Sequence, residues 1–149
     1  MTKNLDNQGL QSIADNYDLF YIDLWGVVHN GIKLHDKAIT VLKKLKKMKK
    51  NFILLTNAPR PNERVKKFLE NMGMEKEIRD HVFTSGEASL NYLKKFHKIE
   101  KFFHIGPLRD FDLFNDFKNN QSKDLIESQY LLCTGLFDEH NQDLNYYKN

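Results

Sequence analysis

Five short apolar runs punctuate the chain: Leu19 to Leu24, Phe52 to Thr56, Val82 to Thr84, Phe102 to Ile105 and Tyr130 to Thr134. Each has the length of a strand rather than of a helix. Between them, apolar residues recur at helical spacing over Lys37 to Lys50, Pro61 to Met72, Gly86 to Phe96 and Phe111 to Lys118, with Pro61 suited to a first turn and Gly73 to a stop. A short helix, about Leu10 to Asn16, leads into the first strand, and Lys118 to Lys123 reads as a polar loop. Alternation of strand and helix predicts an α/β protein built on a parallel sheet with right-handed crossovers, and periodicity alone places all five strands in one sheet.

The strand ends carry more information than the strands. The first ends in Asp23, the second in Thr56-Asn57, the third in Thr84-Ser85-Gly86, the fourth in Gly106 and the fifth in Thr134-Gly135. Ligands of open parallel sheets sit outside the carboxyl ends of the strands, so these small and polar residues could share a site floor. Loops after strands are polar and glycine-rich in any case, which tempers that reading. Asp23 carries more weight, because it closes the apolar run Leu19-Phe20-Tyr21-Ile22, where an unpartnered carboxylate is costly to bury. It is followed by Leu24-Trp25-Gly26-Val27-Val28, in which Gly26 permits a tight turn. From spacing alone, Asp23 can be a nucleophile, a metal ligand or a loop cap.

Composition narrows the class. With 149 residues and 40% hydrophobic, 29% charged and 12% aromatic content, the chain has the balance of a globular domain that buries a core without staples. Cys133 is the only cysteine, so no internal disulfide or Cys₄ zinc site can form. A reducing cytoplasmic setting is the expectation, with Cys133 an inert thiol buried in its strand. No apolar run nears the roughly 20 residues of a spanning helix, and no membrane partner is expected. The net charge of +3 is too balanced to name a polyanionic partner. The basic excess is local, in Lys43, Lys44, Lys46, Lys47, Lys49 and Lys50, interleaved with Ala38, Val41, Leu42, Leu45 and Met48. That pattern describes an amphipathic helix with solvated lysines, and no nucleic-acid signature accompanies it.

Several chemistries lose their main support. No Gly-x-x-x-x-Gly-Lys-Ser/Thr, Gly-x-Gly-x-x-Gly or Gly-x-Ser-x-Gly occurs. His104 alternates with Phe103 and Ile105 and reads as a packed strand residue, while Asp112 and Asp116, four apart, read as a solvated helix face. His29, six residues after Asp23, is a candidate substrate contact.

The segment Tyr17 to Gly31, with its strand, Asp23-Leu24-Trp25-Gly26-Val27 and then Gly31, resembles the first motif of the haloacid-dehalogenase-like hydrolases, and most of all their class IIA phosphatases. Phe52-Ile53-Leu54-Leu55-Thr56-Asn57-Ala58-Pro59-Arg60 resembles the second motif, His81 to Gly86 the third strand, and Leu131 to Leu136 a strand of the cap. The resemblance implies a Rossmann-like parallel sheet with flanking helices and the beginning of an α/β cap. It divides the chain into residues 1–98, the first half of the core, and 99–149, an incomplete cap.

The same resemblance implies a phosphatase of small phosphate monoesters that passes through an aspartyl-phosphate. Asp23 would be the nucleophile, and Thr56, Asn57 and Ala58 would bind the phosphoryl oxygens. Asp23 and the main-chain carbonyl of Trp25 would hold a magnesium ion, Mg²⁺. Two departures stand out. Trp25 occupies the position of a second Asp that usually serves as acid and base, a loss typically worth about 10²–10⁴ in rate. Gly-Asp occurs nowhere, so the motif that completes the metal shell has no match, and the chain on its own is expected to be inactive. The alternatives are a catalytically silent phosphate-binding or interaction module, or a decayed fragment, with the same fold and, less well matched because only Asp23 stands at the strand end, a receiver-like phosphoacceptor.

Overall fold

The computed structural model describes residue 5 and residues 8–140 and 143–148. Strands β1 (Leu19–Asp23), β2 (Asn51–Thr56), β3 (Val82–Thr84), β4 (Phe102–Ile105) and β5 (Tyr130–Cys133) alternate with helices α1 (Asp36–Lys47), α2 (Asn62–Asn71), α3 (Lys76–Arg79) and α4 (Ser85–Phe96). The α/β class and the strands stand where the pattern of apolar runs placed them. Helix α3, only one turn long, carries too little periodicity to be seen in the sequence.

The five strands do not form one sheet. A three-stranded sheet has the order β1-β2-β3, and β4 pairs with β5 in a separate parallel pair. The chain divides accordingly into two compact units, residues 1–56 with 66–83 and residues 57–65 with 84–149. The reason for the split lies in α4. Its Leu90 and Leu93 pack with Phe102, Leu113, Phe114 and Phe117, with Tyr130 and Leu132 against them, so the helix serves the second core.

In the first unit, β1 and β2 run parallel with Ile22 opposite Leu54 and Asp23 opposite Leu55. Leu42, Leu45, Leu54, Leu69 and Ile78 are buried. Helix α1 is the amphipathic element expected, with Leu42 and Leu45 inside and its lysines outside. Lys43 pairs with Glu75 at 2.7 Å, and Lys46 pairs with Glu77.

Three further expectations are corrected. Leu10 to Asn16 is not a helix but two 3₁₀ turns, Leu10–Ser12 and Ala14–Asn16, and of these residues only Ala14 is buried, too little to fix an amphipathic α-helix. Phe111 to Lys118 is not an α-helix either; a 3₁₀ stretch covers Leu108–Phe114. Phe114, its last residue, and Phe117, in the turn that follows, are both buried, and Phe117 N donates to Phe114 O at 2.7 Å. Within the same region Asp112 and Asp116 make ion pairs, Asp112 with Arg64 and Asp116 with Lys94 at 2.7 Å. Cys133 is exposed, because β5 alternates, with Tyr130 and Leu132 turned toward the aromatic core and Leu131 and Cys133 toward solvent. The continuous apolar run made it look covered on both faces. Among the described residues, no helix is long and apolar enough to cross a membrane.

Candidate active site

Parallel pairing brings Asp23 and Thr56 to the same end of the β1–β2 pair. Asp23 is the last residue of β1, opposite Leu55, and Thr56 is the last residue of β2. Its carboxylate lies at the open end, because the side chain of Asp23 falls on the exposed face of the β1 alternation.

Beyond Asp23 the chain folds into a braced loop. The amide of Leu24 still donates to Leu55 O at 3.0 Å, and Leu24 O accepts from Val28 N at 2.9 Å and His29 N at 3.1 Å. Gly26, at φ 76°, turns the chain so that its amide donates to His29 O at 2.8 Å. Trp25 and His29 thus form a parallel bridge whose two bonds use Leu24 O and Gly26 N, and neither uses the Trp25 carbonyl. Asn30 Oδ1 closes the loop by accepting from Ile32 N at 3.0 Å and Lys33 N at 2.9 Å.

His29 lies inside this loop. It is buried, packs edge-on against Phe68 with ring centroids 5.7 Å apart, and its Nδ1 accepts from Gly31 N at 3.0 Å. Burial, reinforced by nearby His35 and opposed by Asp23, holds its pKa below the ordinary histidine value, so the ring is neutral at pH 7. With Nδ1 committed, any contact to a substrate falls to Nε2.

After Thr56 the chain enters the second unit, so Asn57 and Ala58 belong to a different body from Asp23. Their loop is woven into the start of α4. Ala58 O accepts from Arg60 N at 2.9 Å, Ser85 Oγ at 3.0 Å and Gly86 N at 3.2 Å. Gly86 is required here, since an added Cβ would run into the backbone of Arg60. Two helix starts also brace each other. Thr84 Oγ1 caps α4 by accepting from Glu87 N at 2.9 Å, Asn62 Oδ1 accepts from Thr84 N at 2.9 Å, and Glu87 Oε2 accepts from Asn62 N at 2.9 Å. Asn62 and Glu87 do not stand out in the sequence as site residues, and Thr84, one of the strand-end residues offered for a site floor, serves here as a helix cap. Their signal is Thr84-Ser85-Gly86-Glu87, a capping box whose glutamate reaches the first amide of α2 instead of its own cap.

The fit to Mg²⁺ rests on donor chemistry. A carboxylate and a main-chain carbonyl are the hard oxygens this ion takes, and it commonly uses only one or two carboxylates with water and phosphate oxygens for the rest. Asp23, exposed at the end of β1, and the Trp25 carbonyl, which the Trp25–His29 bridge leaves unused, are donors of those two kinds. Among the described residues no cluster of three or more His, Cys, Asp or Glu that could hold a metal occurs.

Residues 20–117 match the family model described as haloacid dehalogenase-like hydrolase, and the chain belongs to that family. A hydrolase of the haloacid dehalogenase-like family from Brucella suis is similar at 31% identity and a TM-score of 0.73, over 87% of this chain and 46% of that one. A p-nitrophenyl phosphatase from Archaeoglobus fulgidus shares the fold at 21% identity and a TM-score of 0.61, over 76% of this chain and 43% of that one. A glycerol phosphate phosphatase from Mycobacterium tuberculosis in complex with magnesium shares it at 20% identity and a TM-score of 0.58, over 83% of this chain and 38% of that one. The chain spans less than half the length of each. Comparison with curated proteins gives no match.

Proposed function

We propose that these residues form the first half of a Mg²⁺-dependent phosphatase of small phosphate monoesters, working in the cytoplasm. The observation that carries this reading is an exposed Asp23 at the end of β1 beside Thr56 at the same end of the adjacent parallel strand. In the proposed reaction a carboxylate oxygen of Asp23 bonds to phosphorus while the bond to the leaving oxygen breaks, and that oxygen departs with the electron pair and takes up a proton. Water then cleaves the aspartyl-phosphate and restores the carboxylate. Thr56 Oγ1 and the amides of Asn57 and Ala58 are the donors assigned to the phosphoryl oxygens, where preorganised hydrogen bonds stabilise developing charge. Asp23 and the Trp25 carbonyl would hold Mg²⁺, which neutralises charge on the phosphoryl group. In this scheme residues 1–98 are the core portion and 99–149 the start of the cap.

Trp25 offers no proton to the leaving oxygen, so turnover of alkyl esters by the intact protein should lag that of aryl esters by about 10²–10⁴. Equal kcat for both would point to another donor, with Nε2 of His29 the candidate. The silent-module reading is favoured by the same Trp25. One assay separates the two: phosphate release from phenyl phosphate by the intact protein, with Mg²⁺ and with excess chelator. Mg²⁺-dependent release supports the phosphatase, whereas phosphate binding without release supports the module. The 149-residue chain by itself is expected to show no turnover.

A further inference from the structure

Position 25 is not merely the site of a lost acid. Asp23 is exposed, Leu24 is 1% exposed and Trp25 is 66% exposed, so the alternation of exposed and buried residues in β1 continues past its end and leaves both Asp23 and Trp25 open to solvent. At about 3.3 Å per residue their Cα atoms stand roughly 6.6 Å apart, the length of a small substrate. The loop that carries Trp25 is fixed by main-chain bonds on both sides, with Val28 and His29 buried beneath it. Its outer residues are nevertheless apolar: Val27 is 51% and Ile32 84% exposed. Gly31 borders the indole, and a Cβ there would lie in ordinary contact, 3.9 Å from Nε1. A rigid loop that displays an indole and two aliphatic side chains next to the attacking group is built to meet something flat and apolar.

We propose that Trp25, flanked by Val27 and Ile32, is a specificity-determining platform that stacks an aromatic leaving group while the phosphoryl end of the same substrate lies at Asp23. The inference deepens the phosphatase reading and rests on it. It makes the protein selective for aryl over alkyl phosphates through binding, separately from any difference in leaving-group acidity.

Phosphonates test this without turnover, since their carbon–phosphorus bond is not cleaved. Calorimetric titration of the intact protein in Mg²⁺ should find phenylphosphonate bound about tenfold more tightly than methylphosphonate, the scale expected of an added aromatic pair. Trp25→Phe should keep most of that ratio, and Trp25→Leu should lose most of it. If methylphosphonate binds as well as phenylphosphonate, the platform is refuted and the phosphate site stands. If neither binds, the phosphate site fails and the platform with it. A Trp25→Leu variant that melts lower but keeps the full aryl preference would mark Trp25 as a packing residue and overturn the proposal.

Discussion

At the carboxyl ends of β1 and β2, in the first unit, the side chain of Asp23 is exposed and the loop beyond it is held by main-chain hydrogen bonds together with the side chains of His29 and Asn30. At the carboxyl ends of β4 and β5, in the second, the polar residues are turned inward. His104 is buried, its Nε2 lies 2.8 Å from Thr134 Oγ1, and its ring packs edge-on against Phe114 with centroids 4.7 Å apart. Asp110 is buried as well, 3.6 Å from the Arg60 guanidinium. Both strand pairs are parallel and both end in small or polar residues, so in the sequence they look equally like a site floor. Burial separates them. A polar group that the fold has enclosed and partnered contributes to holding the fold, and one left facing water is available for chemistry.

The comparison is broken most directly at Asp23. Asp23→Asn should bring turnover of phenyl phosphate by the intact protein below detection while leaving the melting temperature within a few degrees, as expected for an exposed side chain whose loop is braced by main-chain atoms. A large fall in melting temperature, read by calorimetry, would place Asp23 among the structural residues instead.

The opposite result is expected in the aromatic core. Phe102 is fully buried, stacks on Tyr130 with centroids 5.7 Å apart and meets Phe114 at 5.2 Å. Phe102→Ala should cost about 3–5 kcal/mol of stability in denaturant unfolding. A loss under about 1 kcal/mol would mean that this core is already loose.

The smallest effect is a pH dependence that sharpens the contrast. Burial holds His104 below the ordinary histidine pKa of about 6.5, with Asp110 partly opposing it. The unfolded chain therefore takes up a proton at a pH where the folded one does not. Stability is fully present above pH 6.5 and declines as the pH falls through the folded pKa. Burial lowers the pKa of His29 in the same direction, so the melting temperature should drop between pH 7 and 5. His104→Gln, which can still bond Thr134, should remove part of that drop and leave the share due to His29. Glu70 and Glu75, held below the usual carboxylate range by Lys67 and Lys43 respectively, act in a separate window at lower pH.

How far the site was legible follows from the same physics. The placement of Asp23 and Thr56 at strand ends was readable because each closes an apolar run, and a polar residue at such a place leaves a mark on a short stretch of sequence. The strand and helix order was readable for the same reason. The division into two sheets was not, because periodicity shows that Leu90 and Leu93 share a face of α4 but not which core that face joins. The brace of Asn62, Thr84 and Glu87 joins two helix starts more than 20 residues apart, and only Thr84 and Glu87 are close enough in sequence to hint at it. Cys133 misled because an unbroken apolar run does not say how many faces of a strand are covered.

The central claim is that Asp23 becomes phosphorylated. The most direct measurement is acid quenching of the intact protein during turnover of phenyl phosphate in Mg²⁺, reduction with borohydride, and mass spectrometry of the peptide that contains residue 23. Conversion of Asp23 to homoserine, dependent on substrate and on Mg²⁺, is the result expected. Turnover with Asp23 unmodified, or with the label on another residue, would contradict the account.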